Sequence, residues 1–450
     1  MKYQSQQVAK LYFYGAMLIF SLQIVFGLLG ATVYVAPTSI PVGLLPFNVI
    51  RMIHTNALIV WLLMGFFGST YFLLPEETEN ELYSPFLAKL QFWLFLIAAV
   101  IAVVGYLFGY SANEGRSYLE QPIVIKIGIV IVALMFLFNC TMTVLRGRKT
   151  VITNILLLGL WGVAIFFLFA FYVPDNVVID KMFWWWVVHL WVEGVWELVM
   201  AAILAFLLIK LTGVDREIIE KWLYVIVGLA LFTGILGTGH HYYWIGTPKY
   251  WQGIGSIFGA LEPLPFLMIV VFSFSMVRKG GRDHPNRAAL LWSLGCAVMA
   301  FLGAGVWGFA HTLSVVNFYT HGTQFTAAHG HLAFYGAYAM INLAMITYAM
   351  PQLLGRPPYN QTLNIWSFWI LTLGVVAMTL ALTGAGITQS YLERGLGEAY
   401  MDVQQQMTLW YWARLGGGVM VTLGLVLYLI AVFVPGRAPI SNRLDSPATK

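Results

Sequence analysis

Charge is what this sequence has least of. Only 10% of its 450 residues are charged, against roughly 25% in a soluble globular chain. Such a chain cannot cover its own surface with polar groups, which excludes a water-soluble globule. Cysteine is almost missing: Cys140 and Cys296 stand far apart in apolar segments. They form no CxxC, no CxxCH and no disulfide framework, and read as small buried hydrophobes. Without CxxCH the chain cannot hold a c-type haem covalently. The net charge of +5 comes from loop lysines and arginines, not from a basic tract, so nucleic acid is not expected as a partner. The opening MKYQSQQVAK is too long and polar for a signal-peptide start, so the first apolar run is expected to be a retained helix. No low-complexity tract and no second domain interrupt residues 1–450, which read as one integral-membrane unit with a short polar tail from Pro435.

What fills the sequence instead is apolar: 60% of residues are hydrophobic and 16% aromatic, with 17 Trp. Tryptophan and tyrosine favour membrane interfaces, where one end of the ring is dry and the other wet. A membrane-spanning helix needs about 20 mostly apolar residues. Twelve segments qualify: 11–36, 48–74, 86–112, 122–145, 152–173, 181–212, 218–247, 252–279, 286–314, 321–354, 362–389 and 404–434. The fold class is therefore an all-α membrane protein, a bundle of twelve transmembrane helices. With both termini in the cytoplasm, 17 of the 24 basic residues fall on the cytoplasmic side, as the positive-inside rule requires. Arg51, Arg116, Lys126, Lys181, Lys249, Arg394 and Arg414 fall outside.

Ionisable groups at membrane depth are expensive, and each is a functional candidate. His54 lies early in span 2, His189, Glu193 and Glu197 in span 6, His240 and His241 late in span 7. Glu262 lies in span 8, His329 and His331 in span 10. All but Glu193 and Glu197 lie about 5 to 10 residues from the outer end, roughly 8 to 15 Å deep at about 1.5 Å per residue. Six histidines in one layer point to metal or haem, since neutral imidazole is a common iron, copper and zinc ligand.

Spacing adds detail. His329 and His331 are two apart on a helix and point about 200° from each other, so they serve separate metals on opposite faces of span 10. One can share a haem with His54; the other can hold a haem with an open face. His189 and Glu193, four apart, share a face, and with His240–His241 can form a site of three histidines and one carboxylate. The carboxylate fits iron(II) better than copper(I). His284, His311 and His321 read as loop or outer-surface residues, and Trp184–Trp186 as an interfacial belt. Arg51 and Arg116 at the outer edge are either haem-propionate partners or ordinary interfacial arginines.

The stretches WWWVVHLWVEGVWELVM around His189, GTGHHYYWIG around His240, ALEPLPF around Glu262 and HGTQFTAAHGHLAFYGAYAM around His329 resemble the haem–copper oxidase superfamily. Within it the chain is similar, over essentially its whole length, to the cytochrome c-dependent nitric oxide reductase large subunits. That resemblance implies a bacterial inner-membrane enzyme reducing two NO to N2O and water, with electrons from a membrane-anchored cytochrome c subunit. It implies His54 and His331 on a low-spin haem b, and His329 on a high-spin haem b. It implies His189, His240, His241 and Glu193 on a non-haem iron, with Glu262 beside the iron and Glu197 one turn deeper. It also implies a calcium ion at the haem propionates, with Gly65 lending a carbonyl. Ser117 stands where relatives place a calcium-binding glutamate, and that departure weakens the calcium site; Glu114 and Glu120 are the nearby alternatives. The alternative reading is a C-type haem–copper terminal oxidase subunit, which would need copper and a site tyrosine. In common oxidases a tyrosine follows the first site histidine by four residues, and here Glu193 holds that position. A proton-relay transporter, the second alternative, should show repeat symmetry between halves, and none is found.

Overall fold

The computed structural model describes residues 2–41, 43–111, 115–280, 284–358 and 360–433. Every regular element among them is helical, and twelve helices are long and apolar enough to cross a membrane. They are α1 (Gln4–Val35), α2 (Phe47–Thr78), α3 (Pro85–Leu107), α4 (Ile123–Arg146), α5 (Val151–Phe171), α6 (Val177–Thr212), α7 (Arg216–Tyr242), α8 (Tyr250–Lys279), α9 (Arg287–Thr312), α10 (Gln324–Leu353), α11 (Gln361–Gly395) and α12 (Thr408–Phe433). The expected twelve spans are all present. The largest differences are at ends: α1 begins at Gln4, α11 runs on to Gly395, and Tyr400–Gln406 is a separate short helix before α12. The polar start of α1 is held by Glu81 in the α2–α3 turn, which accepts the N–H groups of Gln4 and Ser5 at 2.9 and 2.8 Å. Burial pushes the Glu81 carboxyl up, but the Ser5 and Gln4 bonds outweigh it and leave its pKa below the usual value.

Helix starts follow local chemistry. Ser84 accepts the Leu87 N–H with Pro85 in the first turn of α3. Thr150 and Thr153 cap α5 reciprocally, and Asn176 accepts the N–H groups of Val178 and Ile179 in α6. Each satisfies donors that a helix start leaves free.

Burial sorts the helices. In their most apolar stretches α10 is 94% buried, α6 83% and α2 78%, while α3 is 22% and α4 33%. α10 is also the least apolar of the twelve, with a mean hydropathy of 1.3. Lipid exposure therefore does not explain its composition; a polar interior does. The three central helices are those that carry His54, the His189–Glu193 pair and His329 with His331. At the end away from these residues, Glu77 accepts two bonds from Arg216, at 2.6 and 2.8 Å, and one from the Thr150 hydroxyl at 2.9 Å. Glu76 is paired with Lys210. These bonds tie α2 to α5, α6 and α7.

Four spans contain a wide turn with i→i+5 spacing: Trp191–Val195 in α6, Phe301–Trp307 in α9, Phe334–Ala339 in α10 and Ser390–Gly395 in α11. Such turns re-aim side chains and recur at functional sites.

Candidate metal and haem-binding centre

One ligand atom from each of His189, Glu193, His240 and His241 lies within 4.8 Å of all the others. His189 Nδ1 is 3.3 Å from Glu193 Oε2 and 3.0 Å from His241 Nε2, and His240 Nε2 is 3.9 Å from Glu193 Oε2. His189 Nε2 donates to the Gly234 carbonyl at 2.8 Å. That bond uses the ring's N–H and leaves Nδ1 with a lone pair aimed at its neighbours. Imidazole lone pairs and a carboxylate converging in a buried space repel one another unless a cation sits between them. The donor set of three nitrogens and one oxygen fits a hard-to-borderline divalent ion such as iron(II).

Local structure brings this about. Glu193 is in the wide turn of α6 with φ −106° and ψ 26°, outside the helical region. His240 and His241 lie in the tight turn Thr238–Tyr242 that ends α7, and His241 is stacked on Trp185 with centroids 3.7 Å apart. Glu262, at the bend in α8 before Pro263, places Oε1 3.8 Å from His189 Nε2 and 3.9 Å from His240 Nδ1. Both Glu262 Oε1 and His240 Nδ1 are buried without a hydrogen-bond partner. Gly237 makes room for that carboxyl, because a Cβ there would overlap Glu262 Oε1. Glu197 is 4% exposed, one turn beyond Glu193.

The second group is His54 and His331, whose rings face each other with centroids 6.2 Å apart and planes 28° apart. Their Nδ1 atoms bond to the carbonyls of Gln23 at 2.8 Å and Ala327 at 2.7 Å, which leaves both Nε2 atoms free. Two imidazoles bonded to one metal from opposite sides at about 2 Å each put their centroids about 6 Å apart. The pair therefore fits a six-coordinate haem iron. Gly27 supplies the clearance, since a Cβ there would lie 2.8 Å from His54 Cε1. His329 turns the other way, with Nδ1 bonded to the Gly303 carbonyl at 3.0 Å and its ring facing Gly308. As the spacing predicts, the two histidines of α10 point to opposite faces of the helix.

The outer rim departs from expectation. Arg116 is 1% exposed and donates through Nε to Asp180 at 2.9 Å and through Nη2 to Asp180 and the Tyr172 carbonyl. Its charge is neutralised by Asp180, so it clamps the loop before α4 to α6. Arg51 donates to the Ser117 hydroxyl at 2.8 Å and keeps its place one turn outside His54. Gly65 is not at the rim. It lies three turns along α2 from His54, pressed against Asn342. Glu114 lies outside the described residues. Glu120 is 8% exposed and accepts from Asn56 Nδ2 at 3.0 Å.

Sequence reasoning misses two residues. Arg414 in α12 lies over the Tyr34 ring at 4.8 Å with a buried Nη1 that has no partner. An arginine inside an apolar span is a visible signal, on the same rule that singles out the histidines. His311, expected near the surface, is 8% exposed with its ring 5.9 Å from His329. The short helix Ser314–Thr320 folds back over it.

Residues 7–420 match the family described as Cytochrome C and Quinol oxidase polypeptide I. The chain is 55% identical to a nitric oxide reductase subunit of Stutzerimonas stutzeri, covering 98% of this chain and 97% of that one. It is 23% identical to a Cbb3-type cytochrome c oxidase subunit of the same organism, covering 78% and 77%. Among solved structures, a heme-copper terminal oxidase dimer superposes with a TM-score of 0.75 at 14% identity, covering 98% of this chain and 86% of that one; this likeness concerns the fold.

Proposed function

This chain belongs to the Cytochrome C and Quinol oxidase polypeptide I family, and we propose that within it the chain is the catalytic subunit of a nitric oxide reductase. It is a multi-pass protein of the bacterial inner membrane and acts as one embedded unit. The observation that carries the reading is the carboxylate of Glu193 within the three-histidine cluster, where an oxidase of the common type has a tyrosine. The relative at 55% identity bears the reductase name.

Family and relative imply haem and metal cofactors. In the finer reading, His54 and His331 hold a low-spin haem b and His329 a high-spin haem b. His189, His240, His241 and Glu193 hold a non-haem iron. Arg51 and Arg414 are the cations available to propionates. Calcium, if bound, would lean on Glu120 and the propionates, since Gly65 is elsewhere. When bound, haem and iron supply two electrons and Lewis acidity for joining two NO, with two protons, into N2O and water.

The chain's own residues do the rest. Burial of His189, His240 and Glu262 keeps water from the reacting space, and the cluster confines two small neutral molecules together, which removes the entropy cost of their encounter. Glu262 and Glu197 hold protons beside the cluster; Glu262 Oε1 has no competing partner and faces it. Protons enter from the outer side, and both termini face the cytoplasm. With no CxxCH in the sequence, a membrane-anchored cytochrome c subunit delivers the electrons.

The test is a haem and metal count on the purified complex, with NO- and O2-consumption rates. Two haems and one non-haem iron per chain are expected; one copper per chain would favour the oxidase reading. Glu193→Gln should lose the non-haem iron and keep both haems. Unchanged iron in that variant would count against the ligand assignment.

A further inference from the structure

Trp191–Val195 cannot hold its shape by helical bonding alone. In an α-helix the Trp196 N–H would bond to the Val192 carbonyl; here it reaches back to Trp191 instead. Val192 thus loses its ordinary donor one residue before Glu193, whose φ −106° and ψ 26° are sparsely populated and persist only where the surroundings over-determine them. The Tyr338 hydroxyl donates to that Val192 carbonyl. Tyr338 is 1% exposed. Its ring is fixed edge-on to Trp196 at 5.3 Å and to Phe66 at 6.1 Å, so the hydroxyl has little freedom to swing away. It sits in the wide turn of α10, the helix that also carries His329 and His331.

We propose that Tyr338 is a positioning residue that holds the α6 turn open at Val192 and so aims the Glu193 carboxylate at His189 and His240. The inference rests on reading Glu193 as a metal ligand. Nothing in sequence spacing points to it, because Tyr338 and Val192 are 146 residues apart. One hydroxyl links the carboxylate-bearing helix to the helix that serves both haems.

The purified holo-complex in detergent provides the test. Tyr338→Phe removes one oxygen and keeps the ring packing. Non-haem iron per chain is measured after timed exposure to a ferrous chelator, and haem content is read from the optical spectrum. Partners that orient a ligand without touching the metal typically account for 10- to 100-fold in affinity. Iron loss on the order of 10-fold faster than wild type is expected, with both haems retained. Placing 4-aminophenylalanine at position 338 puts a donor back and should restore retention. Iron held as firmly in Tyr338→Phe as in wild type overturns the proposal. Loss of haem together with iron also overturns it, because that marks general packing. Glu193→Gln, run in parallel, separates the two readings. If it keeps iron, the assignment of the centre has failed. If it loses iron while Tyr338→Phe does not, this inference alone falls.

Discussion

Glu120 shows how a single residue at the rim couples to pH. Burial pushes its carboxyl above the usual range, against the opposing hydrogen bond from Asn56. The folded protein therefore holds this proton more tightly than the unfolded chain does. The contribution to stability is fully present below the ordinary carboxylate pKa and is lost as pH rises through the raised value. Glu120→Gln, which keeps an acceptor for Asn56 and has no charge to desolvate, should raise the thermal midpoint at neutral pH. It should match wild type near about pH 4. A difference that stays constant across the range would contradict the assignment. At this scale the sequence is legible where a residue's cost is high. Histidines and carboxylates inside apolar spans declare themselves, and their partners can be named. It is not legible where two readings cost the same. Arg116 could meet a propionate or an aspartate, and only the fold of the outer loop onto α6 brings Asp180 to it. Arg414 carries the same signal as the histidines, yet in sequence it reads as an interfacial charge. Gly65 rests on resemblance alone, and no property of a glycine in mid-helix could test it.

Elements set how close the sites can be built. α1 approaches α2 at Gly27 tightly enough that His54 fills the space a side chain would need. Gly27→Ala puts a methyl group 2.8 Å from His54 Cε1, so the ring or the helix must shift. Overpacking of this kind costs about 1–3 kcal/mol. The expected result is weaker retention of the low-spin haem, about 10-fold for each 1.4 kcal/mol, seen as a diminished six-coordinate optical band with non-haem iron unchanged. An unaltered spectrum would mean that α1 yields freely there. The spans themselves are readable because each needs about 20 apolar residues whatever its neighbours. The wide turns are not. The wide turn of α6 is completed by a tyrosine on another helix, so no local window of sequence contains its cause. Spacing still puts His189 and Glu193 on one face, because one inserted residue begins at Trp191 and alters direction only slightly within that turn.

At the scale of the whole molecule, the charges are divided between two ends with different work. The cluster of His189, His240, His241, Glu193 and Glu262 sits toward one end of the bundle. At the opposite end the buried carboxylate Glu77 is held by Arg216 and Thr150, and Glu76 by Lys210. Two bonds from Arg216 and one from Thr150 occupy the Glu77 carboxylate and join α2 to the starts of α5 and α7. The Glu77 end is thus built as a staple between helices, and the end that carries the cluster holds Glu262, whose Oε1 accepts no hydrogen bond. If protons and electrons both arrive from the outer side, turnover moves no net charge across the bilayer. The complex in sealed vesicles, with its outer face outward and an external donor, should consume external protons during NO reduction. Its rate should be unchanged by an uncoupler, and no membrane potential should appear on a voltage-sensitive dye. Alkalinisation of the vesicle interior, or a rate that rises several-fold on uncoupling, would require a path past the Glu77–Arg216 pair. That path would contradict the division of charge on which the outer-entry reading depends.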